Sequence, residues 1–155
     1  MRIKVLETGR SEYRKKAVRS KECPFCNPSN LKSQECKSLS GKEWAVIINK
    51  YPYMDGNLMI ISRRHVEHVS SLNSAEKGEF FEILNGVIEK LGKLFTTNDF
   101  NVGLNLGKNA GASVKHLHWQ VIPRKNKILN SANIFADLFV ITMPPDKLRK
   151  IIDKK

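Results

Sequence analysis

The 155-residue chain lacks the long apolar segments that membrane and secreted proteins carry. No run approaches the ~20 apolar residues that a membrane-spanning helix needs. The first residues, MRIKVLETGRSEYRKK, contain no apolar core like that of a signal peptide. Internal repeats and low-complexity stretches are also absent. We therefore expect a single cytoplasmic domain over residues 1–155 with no membrane partner.

Cysteine and acidic residues are both scarce. Three cysteines are too few for a disulfide framework, and two of them, Cys23 and Cys26, form a C-x-x-C pair that is typical of metal sites. Against 15 aspartates and glutamates stand 27 lysines and arginines, which gives a formal net charge of +12. This charge would suit a polyanion, but the lysines are scattered and no aromatic residues alternate with them as in a base-stacking surface. The pattern favours a small anionic substrate over nucleic acid.

Four short apolar segments predict the strands of one sheet. Residues 43–52 and 53–65 each contain a strand, and the Asp-Gly dipeptide between the two apolar runs indicates an antiparallel hairpin. Residues 100–107 and 115–123 form a second pair, joined by a glycine-rich link. Because such short connections join antiparallel neighbours, we expect a mainly antiparallel sheet.

One long helix is predicted between the two strand pairs. It begins at Asn73 or Ser74, and Glu76 follows Asn73 at the spacing of a capping box. Apolar residues then recur at helical spacing from Phe80 to Phe95. The helix should therefore lay one apolar face on the sheet.

The ends of the chain are less regular. Residues 1–20 are a polar lead-in, and residues 21–36 hold the cysteines among turn-forming prolines and asparagines. Residues 133–143 fit either a strand or a helix, and residues 144–155 predict a terminal helix that opens with proline. The order ββαββ with a tail predicts an α+β fold with its core over about residues 21–125, one long helix packed on the sheet and a short C-terminal helix.

Two of the four histidines lie in the segment KHLHWQVIPR, residues 115–124. Alternate side chains of a strand point to one face, so His116, His118 and Gln120 share a face while the apolar residues between them, including Trp119, pack into a core. Histidines on such a face can act as bases, nucleophiles or metal ligands near neutral pH. The alternative is a strand edge whose polar residues only face water.

The glycine-rich link GLNLGKNAGAS, residues 103–113, does not match the common nucleotide-binding loops. It is not a Walker loop, because no helix opens after its Gly-Lys pair, and it is not a dinucleotide fingerprint, because the next element is a strand. Its glycines can expose successive backbone N–H groups to an anion, and Asn105 and Ser113 add side-chain donors. A phosphate cradle directly before a histidine-bearing strand is a typical arrangement for a nucleophile.

The sequence alone leaves the partners of the C-x-x-C pair open. His65 and His68 form an H-x-x-H pair, but it lies too far along the chain for a compact zinc finger. Cys36 is either a free thiol or a replacement for a histidine ligand.

Two stretches together resemble the histidine triad (HIT) superfamily. The segment NAGASVKHLHWQVIPR is similar to its signature, in which histidines alternate with apolar residues after a glycine-rich loop. The segment INKYPYMDGNLMIISRRHVEHVSSL resembles the preceding half of the same domain. The resemblance covers roughly residues 21–125. It implies an α+β homodimer, paired through its sheets, that transfers or hydrolyses nucleotidyl groups.

The resemblance also implies roles for single residues. His118, at the middle position, would attack an α-phosphorus as a neutral nucleophile, with a neighbouring backbone carbonyl holding its other ring nitrogen. Asn105, Gly111 and Ser113 would contact the phosphates. Asn49 would lie near the ribose hydroxyls.

Gln120 stands where the third histidine of the triad would be. This substitution resembles the transferase branches of the superfamily, the diadenosine tetraphosphate phosphorylases and galactose-1-phosphate uridylyltransferase. An amide does not titrate near pH 7, so it can hydrogen-bond a phosphoryl oxygen but cannot supply a proton. Asn57 stands where many relatives have a histidine, and its role stays open.

Zinc-bearing relatives imply a structural zinc ion held by Cys23, Cys26, His65 and His116. A Cys2His2 set is a closed tetrahedral site. It would tie the N-terminal segment to the catalytic strand and fix His116, which would then serve both the metal site and the catalytic site. His68 would be a surface residue at the start of a helix.

The predicted activity is transfer of a nucleotidyl group from a dinucleoside polyphosphate or a nucleotide sugar to phosphate or a sugar phosphate. One alternative is a hydrolase of dinucleoside polyphosphates or nucleoside phosphoramidates. Another is a nucleotide- or nucleic-acid-binding regulatory protein, which the net charge of +12 would suit.

Overall fold

The computed structural model describes residues 22–50, 52 and 54–125. The predicted lead-in and the two predicted C-terminal elements, residues 133–143 and 144–155, lie outside the described residues. Within these ranges the helices and strands run in the order α1 Pro28–Gln34, β1 Trp44–Ile48, β2 Leu58–Ser62, α2 Ser74–Phe95, β3 Phe100–Leu104 and β4 His118–Pro123. The predicted order ββαββ is confirmed. No helix among the described residues is long and apolar enough to cross a membrane.

Helix α1 is an element that the sequence analysis missed. The Asn27 side chain caps it by accepting hydrogen bonds from the N–H groups of Ser29 and Asn30. Pro28 occupies the first turn, where its missing N–H leaves no helical hydrogen bond unmade. The Asn-Pro dipeptide therefore starts a helix rather than marking only a turn. Its Leu31 packs on the sheet.

The capping box predicted for the long helix is confirmed. Asn73 accepts from the Glu76 N–H at 2.9 Å, and the Glu76 carboxylate accepts from the Asn73 N–H at 2.8 Å. The same carboxylate is fully buried and receives two N–H···O bonds, of 2.9 and 2.8 Å, from Arg64. This ion pair fastens the start of α2 to the segment that follows β2.

The four strands form one antiparallel sheet in the order β1-β2-β4-β3. β3 ends at Leu104, short of the predicted residue 107, because the chain turns into the glycine-rich loop. β4 begins at His118 rather than at residue 115, because the Leu117 N–H donates to the Val66 carbonyl outside the sheet. The strand order makes β4 a central strand, with β2 on one side and β3 on the other.

The two faces of the sheet have different coverings. α2 covers one face, and the buried residues there include Trp44, Val46, Ile60, Phe80, Val87, Leu91, Leu117 and Val121. Trp119 packs on this face with its ring centroid 4.8 Å from that of Phe80, as predicted. The segment just before β1 contributes to the second face, where Phe25 and Leu31 pack against Ala45, Ile47, Met59 and Ile61. His118 lies opposite Ile61 and Gln120 opposite Met59, and paired residues share a face, so both lie on the second face.

Candidate active site

The polar side chains at and just before the start of β4 are buried. His116, His118 and Gln120 are 3%, 7% and 6% exposed, so they do not form a solvated strand edge. A buried polar side chain needs hydrogen-bond partners, and each of these three has them. The predicted alternation is confirmed for His118 and Gln120, whereas His116 lies in a bend just before β4, and the alternative of a polar edge facing water is wrong.

His118 is held in one tautomer by its own strand. Its Nδ1 lies 2.6 Å from the His116 carbonyl oxygen, which can only accept, so Nδ1 carries the proton and Nε2 keeps a lone pair. Burial lowers the pKa of His118 below its ordinary value, against the opposing effect of this backbone hydrogen bond. The ring of Phe25 contacts the His118 ring edge-on at 5.4 Å. The geometry therefore favours a neutral imidazole whose Nε2 keeps its lone pair.

Gln120 lies among other amides. Its Oε1 accepts from Asn57 Nδ2 at 2.9 Å and from Asn49 Nδ2 at 3.3 Å. Asn49 also donates to Asn57 Oδ1 at 2.8 Å. The structure thus brings Asn49, which the resemblance placed near the ribose, into contact with Gln120. It also makes Asn57 part of the site, a role that the sequence left open.

The glycine-rich loop places Asn105 and Ser113 on the lining of a cavity of about 590 Å³ that also reaches His116. A Cβ atom at Gly111 would lie 3.6 Å from Asn105 Nδ2, so Asn105 and Gly111 are neighbours, as the predicted phosphate site requires. Gly107 and Gly111 have φ of 82° and 89°, a conformation that favours glycine.

The prediction that the glycine-rich link exposes successive backbone N–H groups to an anion is wrong for three of them. The N–H groups of Ala110, Gly111 and Ala112 donate to carbonyls of Gly107 and Lys108 within the loop. These three bonds close a short 3-10 turn, which the sequence did not reveal. The side chains of Asn105 and Ser113 remain as the predicted phosphate contacts.

Two cysteines and two histidines meet at the start of β4. The donor atoms of Cys23, Cys26, His65 and His116 all lie within 4.8 Å of one another. Sulfur–nitrogen distances are 3.3 Å for Cys23–His116, 3.2 Å for Cys26–His65 and 3.6 Å for Cys26–His116. A tetrahedral zinc ion, with its usual bond lengths, would separate a sulfur from a nitrogen ligand by about 3.5 Å. The side chains therefore fit a Cys2His2 zinc site.

The surroundings of His116 support this fit. Its Nε2 donates to the Ser62 carbonyl at 2.7 Å, so the Nδ1 lone pair points at the two sulfurs. Burial lowers the pKa of His116, which favours the neutral ring that a metal needs. Burial, together with the Cys23 thiol next to it, raises the pKa of Cys26 to about 11. Without a cation, the Cys26 thiol therefore keeps its proton.

The other candidate ligands lie elsewhere. His68 is exposed and caps the 3-10 turn Val69–Ser71, as expected for a surface residue at the start of a helix. Cys36 packs against the core beneath α2, where burial raises its pKa. Neither belongs to the four-residue cluster found among the described residues. The H-x-x-H pair therefore does not form the site.

Similar proteins include one named a phosphorylase and one named a tetraphosphatase. The HIT domain family model matches residues 35–127, more than half of the chain. The chain is 35% identical over 120 residues to the AP-4-A phosphorylase of Mycobacterium tuberculosis, covering 76% of this chain and 62% of that protein. It is 31% identical over 81 residues to the asymmetrical bis(5'-nucleosyl)-tetraphosphatase of Schizosaccharomyces pombe, covering 52% and 44%. It thus spans less than two thirds of the length of either relative.

Solved structures agree with the fold. The diadenosine triphosphate hydrolase of Plasmodium falciparum superposes with a TM-score of 0.54 at 27% identity, over 62% of this chain and 63% of that one. A histidine triad nucleotide-binding protein from Candida albicans gives a TM-score of 0.67 at 21% identity, over 86% and 94%, and supports the fold alone. The α+β architecture, the buried histidine strand and the domain match lead to one assignment. The chain belongs to the histidine triad (HIT) family.

Proposed function

We propose that the chain is a phosphorylase that cleaves dinucleoside polyphosphates, such as diadenosine tetraphosphate, through a nucleotide bound covalently to His118. The observation that carries the proposal is the buried His118, whose protonated Nδ1 faces the His116 carbonyl and whose Nε2 keeps its lone pair. The phosphorylase named among the relatives supports the substrate class. Gln120 in place of the third histidine supports transfer rather than hydrolysis.

In the first half-reaction, the His118 Nε2 lone pair forms a P–N bond to an α-phosphorus of the substrate. The P–O bond to the leaving nucleotide breaks, and the nucleotide departs with the bonding electrons; for diadenosine tetraphosphate it is ATP. Positive charge develops on the imidazole, and the His116 carbonyl at Nδ1–H stabilises it. Asn105 and Ser113 would hold the phosphoryl oxygens.

In the second half-reaction, an oxygen of inorganic phosphate attacks the same phosphorus. A P–O–P bond forms, the P–N bond breaks and its electrons return to Nε2. The adenylyl group, now joined to the phosphate, leaves as ADP. The product pair is one ADP and one ATP. Gln120 cannot give or take a proton near pH 7, but its NH2 group can donate to a phosphoryl oxygen of the intermediate. The intermediate therefore persists until an acceptor arrives.

A zinc ion held by Cys23, Cys26, His65 and His116 would complete the N-terminal side of the site. Such a closed site has no open coordination position and supplies folding energy rather than a catalytic step. It would fix His116, whose carbonyl orients His118.

We also propose a homodimer, as the resemblance implies. β1 and β3 are the edge strands of the described sheet, and Val102 of β3 is 36% exposed. An unpaired edge suits pairing with a second copy. Sedimentation of the full chain at several concentrations tests this, and a monomer throughout would contradict it.

A hydrolase is the second candidate, because the Schizosaccharomyces pombe relative is named a tetraphosphatase. The two candidates differ in what attacks the nucleotidyl-histidine, phosphate or water. Hydrolysis of diadenosine tetraphosphate would yield AMP and ATP, and phosphorolysis would yield ADP and ATP.

The test is to incubate the protein with diadenosine tetraphosphate and 18O-labelled phosphate and to identify the products by mass. Phosphorolysis puts the label into the β-phosphate of ADP, and His118→Ala should form no product. A parallel reaction with UDP-glucose tests nucleotide sugars. If AMP is the product at every phosphate concentration, the phosphorylase proposal is wrong and the hydrolase is right.

A further inference from the structure

Three side-chain amides form a hydrogen-bonded cluster where the β1–β2 hairpin meets β4. Asn57 Nδ2 lies 2.9 Å from Gln120 Oε1 and 3.0 Å from the Leu58 carbonyl oxygen. Asn49 Nδ2 lies 2.8 Å from Asn57 Oδ1 and 3.3 Å from Gln120 Oε1. We call Asn49, Asn57 and Gln120 the amide cluster.

The backbone fixes the direction of every bond in the amide cluster. The Leu58 carbonyl can only accept, so the end of Asn57 that faces it must be the NH2 group. That NH2 group has two hydrogens, and the second donates to Gln120 Oε1. Asn57 Oδ1 is then the acceptor for Asn49. Because the Gln120 carbonyl faces two donors, its own NH2 group is the end turned away from them.

Asn57 itself is held firmly. It is 3% exposed, and its N–H donates to the Met54 carbonyl at 3.2 Å. Gly56 before it has φ of 78°, and a Cβ atom there would lie 2.5 Å from the Phe95 ring and 2.7 Å from Pro123. A side chain therefore does not fit at residue 56, and the backbone and side-chain hydrogen bonds of Asn57 make it the anchor for Gln120.

On its other side, Gln120 borders a residue that has no side chain. Its neighbour across the sheet on β3 is Gly103, which has no side chain, whereas its neighbour on β2 is Met59. His118 lies two residues away on the same face of β4. The NH2 group of Gln120 thus belongs to the face that the reacting phosphoryl group must share with His118.

We infer that Asn57 is a positioning residue that fixes Gln120 with its NH2 group presented as a donor to the phosphoryl group on His118. The inference rests on the proposed function for the identity of that phosphoryl group. It gives a reason for the paired presence of Asn57 and Gln120, because each amide satisfies the other and neither can protonate a leaving group or deprotonate water.

The first test measures the order of Gln120 by NMR. The chain has two glutamines, Gln34 and Gln120, so labelling the glutamine side chains with 15N gives two NH2 signals. In the wild-type protein the Gln120 NH2 should relax like rigid backbone, with an order parameter of about 0.85, and in Asn57→Ala it should fall below about 0.6. Gln34, which donates to the Asn30 carbonyl, is the internal control.

Adding AMP should shift the Gln120 NH2 signal in the wild-type protein and much less in Asn57→Ala. Equal mobility of Gln120 in the two proteins, or no shift with AMP in the wild type, would overturn the inference. This readout needs no turnover. A protein that proves inactive on dinucleoside polyphosphates would therefore refute the proposed function while the NMR result still decides the role of Asn57.

The second test is a double-mutant cycle on transfer to phosphate. Asn57→Ala and Gln120→Ala should each slow the transfer by about tenfold, and the double variant should be no slower than either, because Asn57 acts only through Gln120. Asn73→Ala, which removes the cap of α2, is the control: it should lower the Tm and leave the rate unchanged. Losses that multiply in the double variant would show that Asn57 acts independently of Gln120.

Discussion

The row of polar side chains formed by His116, His118 and Gln120 is fixed at its two ends by different chemistry. At the His116 end, thiols and imidazoles that titrate gather in a geometry suited to zinc. At the Gln120 end, only amides meet, and none of them titrates near neutral pH. His118 lies between them, and its hydrogen bond to the His116 carbonyl fixes the orientation of its ring. We therefore expect the end with Cys23, Cys26, His65 and His116 (the metal end) to govern stability, and the end with Asn49, Asn57 and Gln120 (the amide end) to govern whether phosphate or water receives the nucleotide.

Replacing the residue between the two ends should have the largest effect. His118→Ala should reduce nucleotidyl transfer by at least about a thousandfold, because the variant lacks the Nε2 lone pair proposed to attack phosphorus. The metal content and the circular dichroism spectrum should match those of the wild-type protein. Appreciable transfer by the variant would show that another residue is the nucleophile.

Removing a proposed zinc ligand from the metal end should mainly lower the stability of the fold. Cys23→Ser removes one of four ligands, so the purified variant should lose zinc and its Tm should fall by about 10 °C or more. Cys36→Ser is a matched control, because Cys36 lies outside the cluster and should leave the zinc content unchanged. Wild-type protein purified without chelators should contain one zinc per chain. Clearly less would count against the site.

Substituting Gln120 at the amide end should instead change which product is formed. Gln120→His introduces a group that can activate water, so the ratio of AMP to ADP from diadenosine tetraphosphate should rise by about tenfold or more. Zinc content should not change, because Gln120 is not among the cluster residues. An unchanged ratio of products would mean that Gln120 does not decide between transfer and hydrolysis.

Substituting Glu76, which lies at the start of α2 on the other side of the sheet, should change neither the zinc content nor the ratio of products. Hydrogen bonds from Arg64 hold the pKa of Glu76 below its ordinary value of 4.5, against the opposing effect of burial. Because the folded pKa is lowered, the stabilisation is complete above pH 4.5 and is lost as the pH falls through the folded pKa. Glu76→Gln should lower the free energy of unfolding by about 2 kcal/mol at pH 7.

Urea unfolding at several pH values measures this effect. The difference between wild type and Glu76→Gln should narrow as the pH drops below 4.5, while the ratio of ADP to AMP at pH 7 stays that of the wild type. A constant difference across this range would mean that the Glu76 carboxylate is not the source of the stabilisation.

Features set by neighbours in the chain could be predicted from the sequence. The capping box of Asn73 and Glu76 depends on a three-residue spacing, and the alternation of His118 and Gln120 depends on the period of a strand. Both are confirmed. Helix α1 had the same kind of local signal in Asn27 and its proline, but the turn-forming residues around it concealed the signal.

Features set by contacts across the sheet could not be predicted from residue spacing. Asn57 meets Gln120 only because β2 pairs with β4 in the register that sets Met59 opposite Gln120. The choice between His68 and His116 as a ligand depends on the same pairing, and spacing alone left it open. The resemblance selected His116, and the geometry agrees.

The metal cluster also has a consequence for the order of folding. Cys23 and His116 lie 93 positions apart, and their contact closes a long loop of chain. His65 follows β2 and His116 precedes β4, so these two ligands come together only once β2 and β4 have paired. Contacts of such long range form late, because the chain must lose the entropy of loop closure before they can form. Residues 22–34 should therefore dock last during folding, and they should be the first part released when a chelator removes the proposed zinc ion.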